Sequence, residues 1–159
     1  MIEIETAGFP QHLDIVREIF REYADGLGID LCFQNFEAEL ADLPGRYAEP
    51  QGRILLASSN GHVVGCVAMR PLDATTCEMK RLYVRPAGRG QQLGRRLGES
   101  ICRIAKEAGY ARIVLDTLPS MQAAQQLYVS LGFKAVAAYT FNPVAGTIFM
   151  ELDLTGWAN

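Results

Sequence analysis

The chain has no apolar run near the roughly 20 residues that a membrane-spanning helix needs, no internal repeat and no low-complexity tract. Histidine is scarce, with His12 and His62 alone. The four cysteines, Cys32, Cys66, Cys77 and Cys102, stand far apart with no CxxC pair, so zinc-ligand spacing is missing and no metal is expected. Scattered thiols of this kind read as reduced side chains of a cytoplasmic protein. Met1-Ile2-Glu3-Ile4-Glu5 alternates apolar and acidic residues, as a strand does and a signal peptide does not. No excess of positive charge is present either: 15 Lys and Arg face 18 Asp and Glu, a formal net charge of −3. That balance argues against a nucleic-acid partner, whose binders usually carry a basic surface. With membrane, metal and nucleic acid set aside, the 159 residues, 49% hydrophobic and 21% charged, read as one globular domain over residues 1–159.

Hydrophobic periodicity orders the elements. Ile2 and Ile4 give a first strand. Leu13, Val16, Ile19, Phe20 and Tyr23 predict a helix over residues 11–25 that stops near Gly26 and Gly28. A shorter helix is expected over 35–42, ended by Pro44-Gly45. Residues 53–57 and 63–69 are apolar runs joined by Ser59-Asn60-Gly61-His62, and Asn-Gly is a strong hairpin signal. A strand over 77–84 leads into a helix carrying Leu93, Leu97, Ile101, Ile104 and Ala108, with Gly109 at its C′ position. Ile113-Val114-Leu115 reads as a buried strand of the parallel type. A helix with Ser120 as its N-cap follows, lined by Ala124, Leu127, Tyr128 and Leu131 and ended by Gly132. Strands over 134–139 and 147–152 close the chain, with a loop at Asn142-Pro143-Val144-Ala145-Gly146 between them. The order β-α-α-β-β-β-α-β-α-β-β predicts an α/β (α+β) fold with a mixed central sheet flanked by helices.

The most telling segment is the turn between Val84 and Leu97, Arg85-Pro86-Ala87-Gly88-Arg89-Gly90-Gln91-Gln92, which opens directly into a helix. Unpaired N–H groups at a helix start, the positive end of its dipole and nearby guanidinium groups make an anion site. Arg81, Arg85, Arg89, Arg95 and Arg96 form a local basic patch there, suited to one small polyanion such as a pyrophosphate. Two familiar phosphate motifs fail. A P-loop needs Lys and a hydroxyl residue after its last glycine, but Arg95 follows Gly94. A dinucleotide fingerprint needs G-x-G-x-x-G early in a βαβ unit, and here the turn follows an antiparallel meander.

Leu82-Tyr83-Val84 followed by Arg89-Gly90-Gln91-Gln92-Leu93-Gly94 resembles the strand–turn–helix block of the GNAT superfamily, with its Q/R-x-x-G-x-G/A motif for acetyl-CoA. Ala124-Gln125-Gln126-Leu127-Tyr128-Val129-Ser130-Leu131-Gly132-Phe133 is similar to the same family's late helix ending in Leu-Gly-Phe. The resemblance covers nearly the whole chain and implies N-acetyl transfer from acetyl-CoA to a primary amine. It assigns acetyl-CoA to Leu82, Tyr83, Val84, Arg89, Gly90, Gln91, Gln92, Leu93, Gly94 and Arg95. The strand at Arg81–Val84 is then expected to splay from Ile113–Asp116, so that backbone groups of Leu82 and Val84 bond the pantetheine arm and the thioester carbonyl. Fixed N–H donors in such a place stabilise charge that develops during acyl transfer. Two residues depart from the family pattern. Gln92 replaces the first motif glycine, and either holds the backbone off the phosphate or bonds it. Met121 stands where many members carry Asn near the cofactor.

Amine acetylation needs a neutral nucleophile, and a lysine-like amine is only roughly one part in 2,500 deprotonated at pH 7. By resemblance Glu78 is the general base, acting directly or through water; read on its own, it is a solvated strand carboxylate paired with Lys80 or Arg70. Tyr128 stands where the family places the acid that protonates the departing thiolate; on its own it is a helix tyrosine packed on the core. A covalent route through Cys66, Cys77 or Cys102 is disfavoured, because each sits in an apolar or helical pattern. The acceptor is expected between the early helices and the last hairpin, near Phe33, Phe36 and Tyr47 on one side and Tyr139, Phe141 and Asn142 on the other. No acidic cluster there would attract a polyamine or a basic tail, which favours a small amine such as an amino acid derivative. A protein lysine or N-terminal acetyltransferase, and a non-catalytic acyl-CoA-binding module, stay open as alternatives. The resemblance also admits a homodimer paired through edge strands or terminal segments.

Overall fold

The structure is a computed structural model that describes residues 1–28, 31 and 35–157. Seven strands, β1 (Ile2–Thr6), β2 (Arg53–Ser59), β3 (His62–Pro71), β4 (Thr76–Val84), β5 (Arg112–Thr117), β6 (Lys134–Val136) and β7 (Ile148–Asp153), form one sheet in the order β1-β2-β3-β4-β5-β7-β6. Only β4 and β5 pair in parallel; the other pairs are antiparallel. Helices α1 (Leu13–Leu27) and α2 (Phe36–Asp42) cover one face, and α3 (Leu93–Glu107) and α4 (Gln122–Leu131) cover the other.

Strand periodicity explains the three layers. Leu55, Ala57, Val67 and Met69 pack with Leu97, Ile101 and Leu131 in the core beneath α3 and α4. Their chain neighbours Ile54, Leu56, Cys66 and Ala68 pack with Val16, Ile19, Phe20 and Leu40 beneath α1 and α2. Successive side chains point to opposite faces, so a strand covered on both sides must be apolar at nearly every position. The Asn-Gly signal holds: Asn60 and Gly61 take φ of +51° and +82°, as a type I′ turn requires.

Several boundaries differ from the pattern. Helix α1 runs to Leu27 because Gly28, at φ +69°, supplies the left-handed cap. Ser120 does not cap α4; the cap position is Met121, and Gln125 Nε2 instead donates to Leu118 O at 2.7 Å. The strand expected over 134–139 ends at Val136. All three residues of β6 are exposed at the sheet edge, so no buried face extends the pairing, and Tyr139 turns inward.

Candidate active site

The parallel ladder between β4 and β5 stops early. It joins Thr76, Cys77 and Glu78 to Arg112, Ile113 and Val114, after which β5 continues to Thr117 paired only with β7. Beyond Glu78 the strands diverge, as expected. A β-bulge helps to open them: Lys80 lies opposite Ala68 and Tyr83 opposite Cys66, leaving Arg81 and Leu82 to face Val67 alone. Arg81 takes φ +63°. The bulge resets the side-chain alternation, so Met79, Leu82 and Val84 join the core under α3 and α4, while Tyr83 packs edge-to-face on Tyr23. Its Arg81 side chain, 2% exposed, is fixed by a bidentate pair with Glu39 at 2.9 and 3.1 Å and lies over the rings of Tyr23 and Phe36.

The opening is a narrow cleft lined by Leu82, Asp116, Thr117, Met121 and Tyr128, among others. Tyr128 is 6% exposed and packs against Phe133; its hydroxyl makes no hydrogen bond to the described residues. Burial, first of all, pushes its pKa upward, so the phenol keeps its proton. Thr117 is 4% exposed, and its Oγ1 has no partner among the described residues. A buried hydroxyl left unpaired costs about 1–3 kcal/mol, which a polar ligand in the cleft would recover.

Beside the cleft lies the turn into α3. Among the described residues, none of the backbone N–H groups of residues 90–95 donates to another protein atom, the first bond of the helix being Arg96 N to Gln92 O. Gln92 is the cap position and makes no side-chain cap bond. Six free N–H groups at the positive end of a four-turn helix form the anion cradle that the sequence implies. Gly90 needs its identity for φ +89° rather than for room. Gln92 sits at φ +54°, which explains why glycine suits its position. The basic patch is smaller than expected. Arg81 is buried, and Arg85 is held by Glu18, Glu22 and Val63 O. Arg89 and Arg96 are exposed beside the cradle, and Arg95 bonds Ser130 Oγ at 2.7 Å and Glu99 at 2.8 Å. Leu93 gives its side chain to the core and can offer only backbone.

On the other side of β4, Glu78 is 2% exposed rather than solvated. Arg70 Nε donates to its Oε1 at 2.9 Å and Tyr139 Oη to its Oε2 at 2.6 Å. Burial alone would raise its pKa, but Lys80, Arg70 and these hydrogen bonds together lower it, so it is ionised at neutral pH. Lys80 is also buried, which brings its pKa down to about 8 despite the opposing pull of Glu78. Asn142 Nδ2 donates to Asp116 Oδ2 at 3.1 Å. Tyr47, expected to meet the acceptor, is instead 3% exposed with its hydroxyl given to Glu39. Phe36 is packed beneath Arg81, whereas Phe141 is 74% exposed. Phe33 lies outside the described residues. Lys80 and Asp116 line both the cleft and a neighbouring cavity of about 210 Å³ that also holds Glu78, so the two spaces meet there.

Arg46, Arg70, Asp116 and Thr117 escaped the sequence reading as site residues. A faint signal existed in Glu78-Met79-Lys80-Arg81, where charged side chains interrupt an otherwise apolar strand. Among the described residues no three His, Cys, Asp or Glu side chains gather as a metal ion needs, and no helix is long and apolar enough to cross a membrane.

Residues 13–133 match the family model for Acetyltransferase (GNAT) family. An uncharacterized N-acetyltransferase of Schizosaccharomyces pombe is 40% identical over 156 residues, 97% of this chain and 96% of that one. The chain belongs to the GNAT family. The fold agrees. A GNAT-family acetyltransferase from Staphylococcus aureus superposes with a TM-score of 0.80 at 20% identity, covering 97% of this chain and 99% of that one. The PaiA N-acetyltransferase from Thermoplasma acidophilum, solved with coenzyme A, gives 0.74 at 20% identity, covering 96% and 99%. This GNAT protein is therefore an acyl-CoA-dependent N-acetyltransferase, with acetyl-CoA as its co-substrate.

Proposed function

We propose that the enzyme moves an acetyl group directly from acetyl-CoA to the primary amine of a small molecule, in a ternary complex. The observation that carries this reading is the junction at Lys80 and Asp116, where a cleft that starts beside six free backbone N–H groups meets the cavity containing Glu78. The cradle takes the pyrophosphate, and the β4–β5 cleft takes the pantetheine arm with Thr117 Oγ1 as a waiting polar partner. Glu78, directly or through water, takes the proton from the ammonium group. The neutral nitrogen attacks the thioester carbon, the C–S bond breaks as the thiolate takes the Tyr128 proton, and the acylated nitrogen gives up its remaining extra proton, directly or through water, to restore the phenol, leaving the amide and the coenzyme A thiol. Arg70 and Tyr139 keep the Glu78 carboxylate ionised and oriented, and Asn142 orients Asp116 at the junction.

An acceptor-side cavity of about 510 Å³ falls within the roughly 300–1,000 Å³ of small-molecule sites, which supports a small acceptor over a protein chain. The test is a coenzyme A release assay with purified protein and acetyl-CoA, run against small primary amines and, separately, lysine-containing and N-terminal peptides. Turnover with small amines supports the reading. Turnover with peptides alone replaces it by a protein acetyltransferase, and acetyl-CoA binding without turnover by a binding module. Strands β1 and β6 are the sheet edges through which two copies would pair, and sedimentation at two concentrations reads that directly.

A further inference from the structure

Three cavities adjoin on the acceptor side, and Arg46 and Arg70 line all of them. A backbone contact ties the two residues together. Arg46 Nη2 donates to the carbonyl of Pro71, the residue after Arg70, at 2.5 Å. Neither group is used up. An arginine carries five N–H donors in a planar fork; among the described residues Arg70 commits only Nε, to Glu78, and Arg46 only the one bond to Pro71. No carboxylate of the described residues lies within 4 Å of Arg46.

Most acids in these walls already have partners; Asp42, in the cavity beside α2, has none among the described residues. Glu39 holds Arg81 and Tyr47, Asp73 accepts from Thr75 and Thr76, Asp116 accepts from Asn142, and Glu151 lies 3.8 Å from Arg112. Two guanidinium groups that line the same three cavities, each with donors to spare, suit an anion bound there. Its charge follows from the cavity that joins the cleft. There Arg46, Arg70 and Lys80 face Glu78 and Asp116, which leaves a single positive charge to match. A carboxylate meets that balance, whereas a dianionic phosphate group would be repelled by the two acids. The same acids draw an ammonium group toward the junction.

We propose that the acceptor is a small amine that also bears a carboxylate, that Arg46 and Arg70 hold the carboxylate, and that the amine is thereby presented at Lys80 and Asp116. This rests on the reading of the protein as a small-amine acetyltransferase. Arginine forks bind carboxylates bidentately, so the pair sets orientation as well as affinity.

The test uses matched pairs: amino acids with one to three carbons between amine and carboxylate, each against its own carboxamide, with acetyl-CoA and the full chain. At least one free acid is expected to exceed its amide by tenfold or more in kcat/KM. The amide's amine is the more readily deprotonated, so intrinsic reactivity runs against that result. Arg46→Gln is expected to raise KM for the acid at least tenfold, with a smaller change in kcat and KM for acetyl-CoA within twofold; Arg46→Lys recovers part of the loss. Amides used as well as acids, or an acid KM indifferent to Arg46→Gln, overturn the carboxylate clamp and leave acetyl transfer standing. No transfer to any small amine, with acetyl-CoA binding intact, overturns the reading beneath it and the clamp together.

Discussion

The two ends of the site are made of different material. On the proposed reading, the working groups at the donor end are backbone: six N–H groups of one continuous turn and a strand edge freed by a bulge. On the acceptor face they are side chains gathered from far apart, Arg46 from the short turn after α2, Arg70 from β3, Glu78 and Lys80 from β4, and Tyr139 from the segment after β6. A backbone site tolerates substitution and keeps one ligand, because its donors are the same whatever the side chains. A side-chain site changes its ligand with each replacement. That division suits an enzyme with a fixed acetyl donor and an acceptor of its own.

The sharpest way to break this comparison is Glu78→Gln. It removes the proposed proton acceptor and leaves Arg70 beside a neutral amide. Activity is expected to fall by roughly 100-fold or more, and urea unfolding to show a loss of about 3 kcal/mol, the scale of breaking a buried pair. The pH dependence carries a sign. Because the folded-state pKa of Glu78 lies below its ordinary 4.5, its contribution to stability is complete above that value and vanishes as pH falls through the lower folded one. The variant is therefore expected to lose stability less steeply on acidification, measured by melts from pH 6 down to 3.

Tyr128→Phe comes next. Since the hydroxyl bonds nothing among the described residues, the fold is expected to be undisturbed while kcat drops by about 100-fold, with acetyl-CoA affinity unchanged by calorimetry. An equal loss in both would mean damaged packing rather than a missing acid. The smallest effect is at the donor end. Gln92→Gly removes a left-handed penalty of ~1–2 kcal/mol against an entropic cost for glycine of ~0.5–1 kcal/mol. A gain of up to about 1 kcal/mol in stability, with acetyl-CoA binding retained, would show that the cradle is backbone; a clear loss of binding would assign the contact to the Gln92 side chain.

The same division governed what could be read in the sequence. The donor end is one contiguous segment, so Arg89, Gly90, Gln92 and Gly94 announced a helix start with anion-binding geometry before any fold was known. The alternation in β1, the continuous apolar runs of β2, β3 and β5 and the 3.6-residue period of α1 and α3 likewise gave the layers, because local pattern decides which face is buried. The acceptor face was largely illegible. Nothing near Arg46 in sequence tells that it lies against Pro71, or that Tyr139 leaves a strand to bond Glu78. Tyr47 and Phe36 looked like ligand-facing aromatics, yet both are buried, Tyr47 at the wall of a cavity with its hydroxyl on Glu39 and Phe36 beneath Arg81; an aromatic residue reads alike in both roles. Arg85 and Arg81 looked free for phosphate, yet Glu18, Glu22 and Glu39, distant in the chain, had claimed them.

The measurement that bears most directly on the central claim is calorimetric titration of the purified protein with acetyl-CoA and with coenzyme A at low and moderate salt. A preformed cradle of free N–H groups flanked by Arg89 and Arg96 predicts micromolar binding of both ligands that weakens as salt rises. Absence of binding by either ligand would contradict it, and the turn before α3 would then be no more than a helix start.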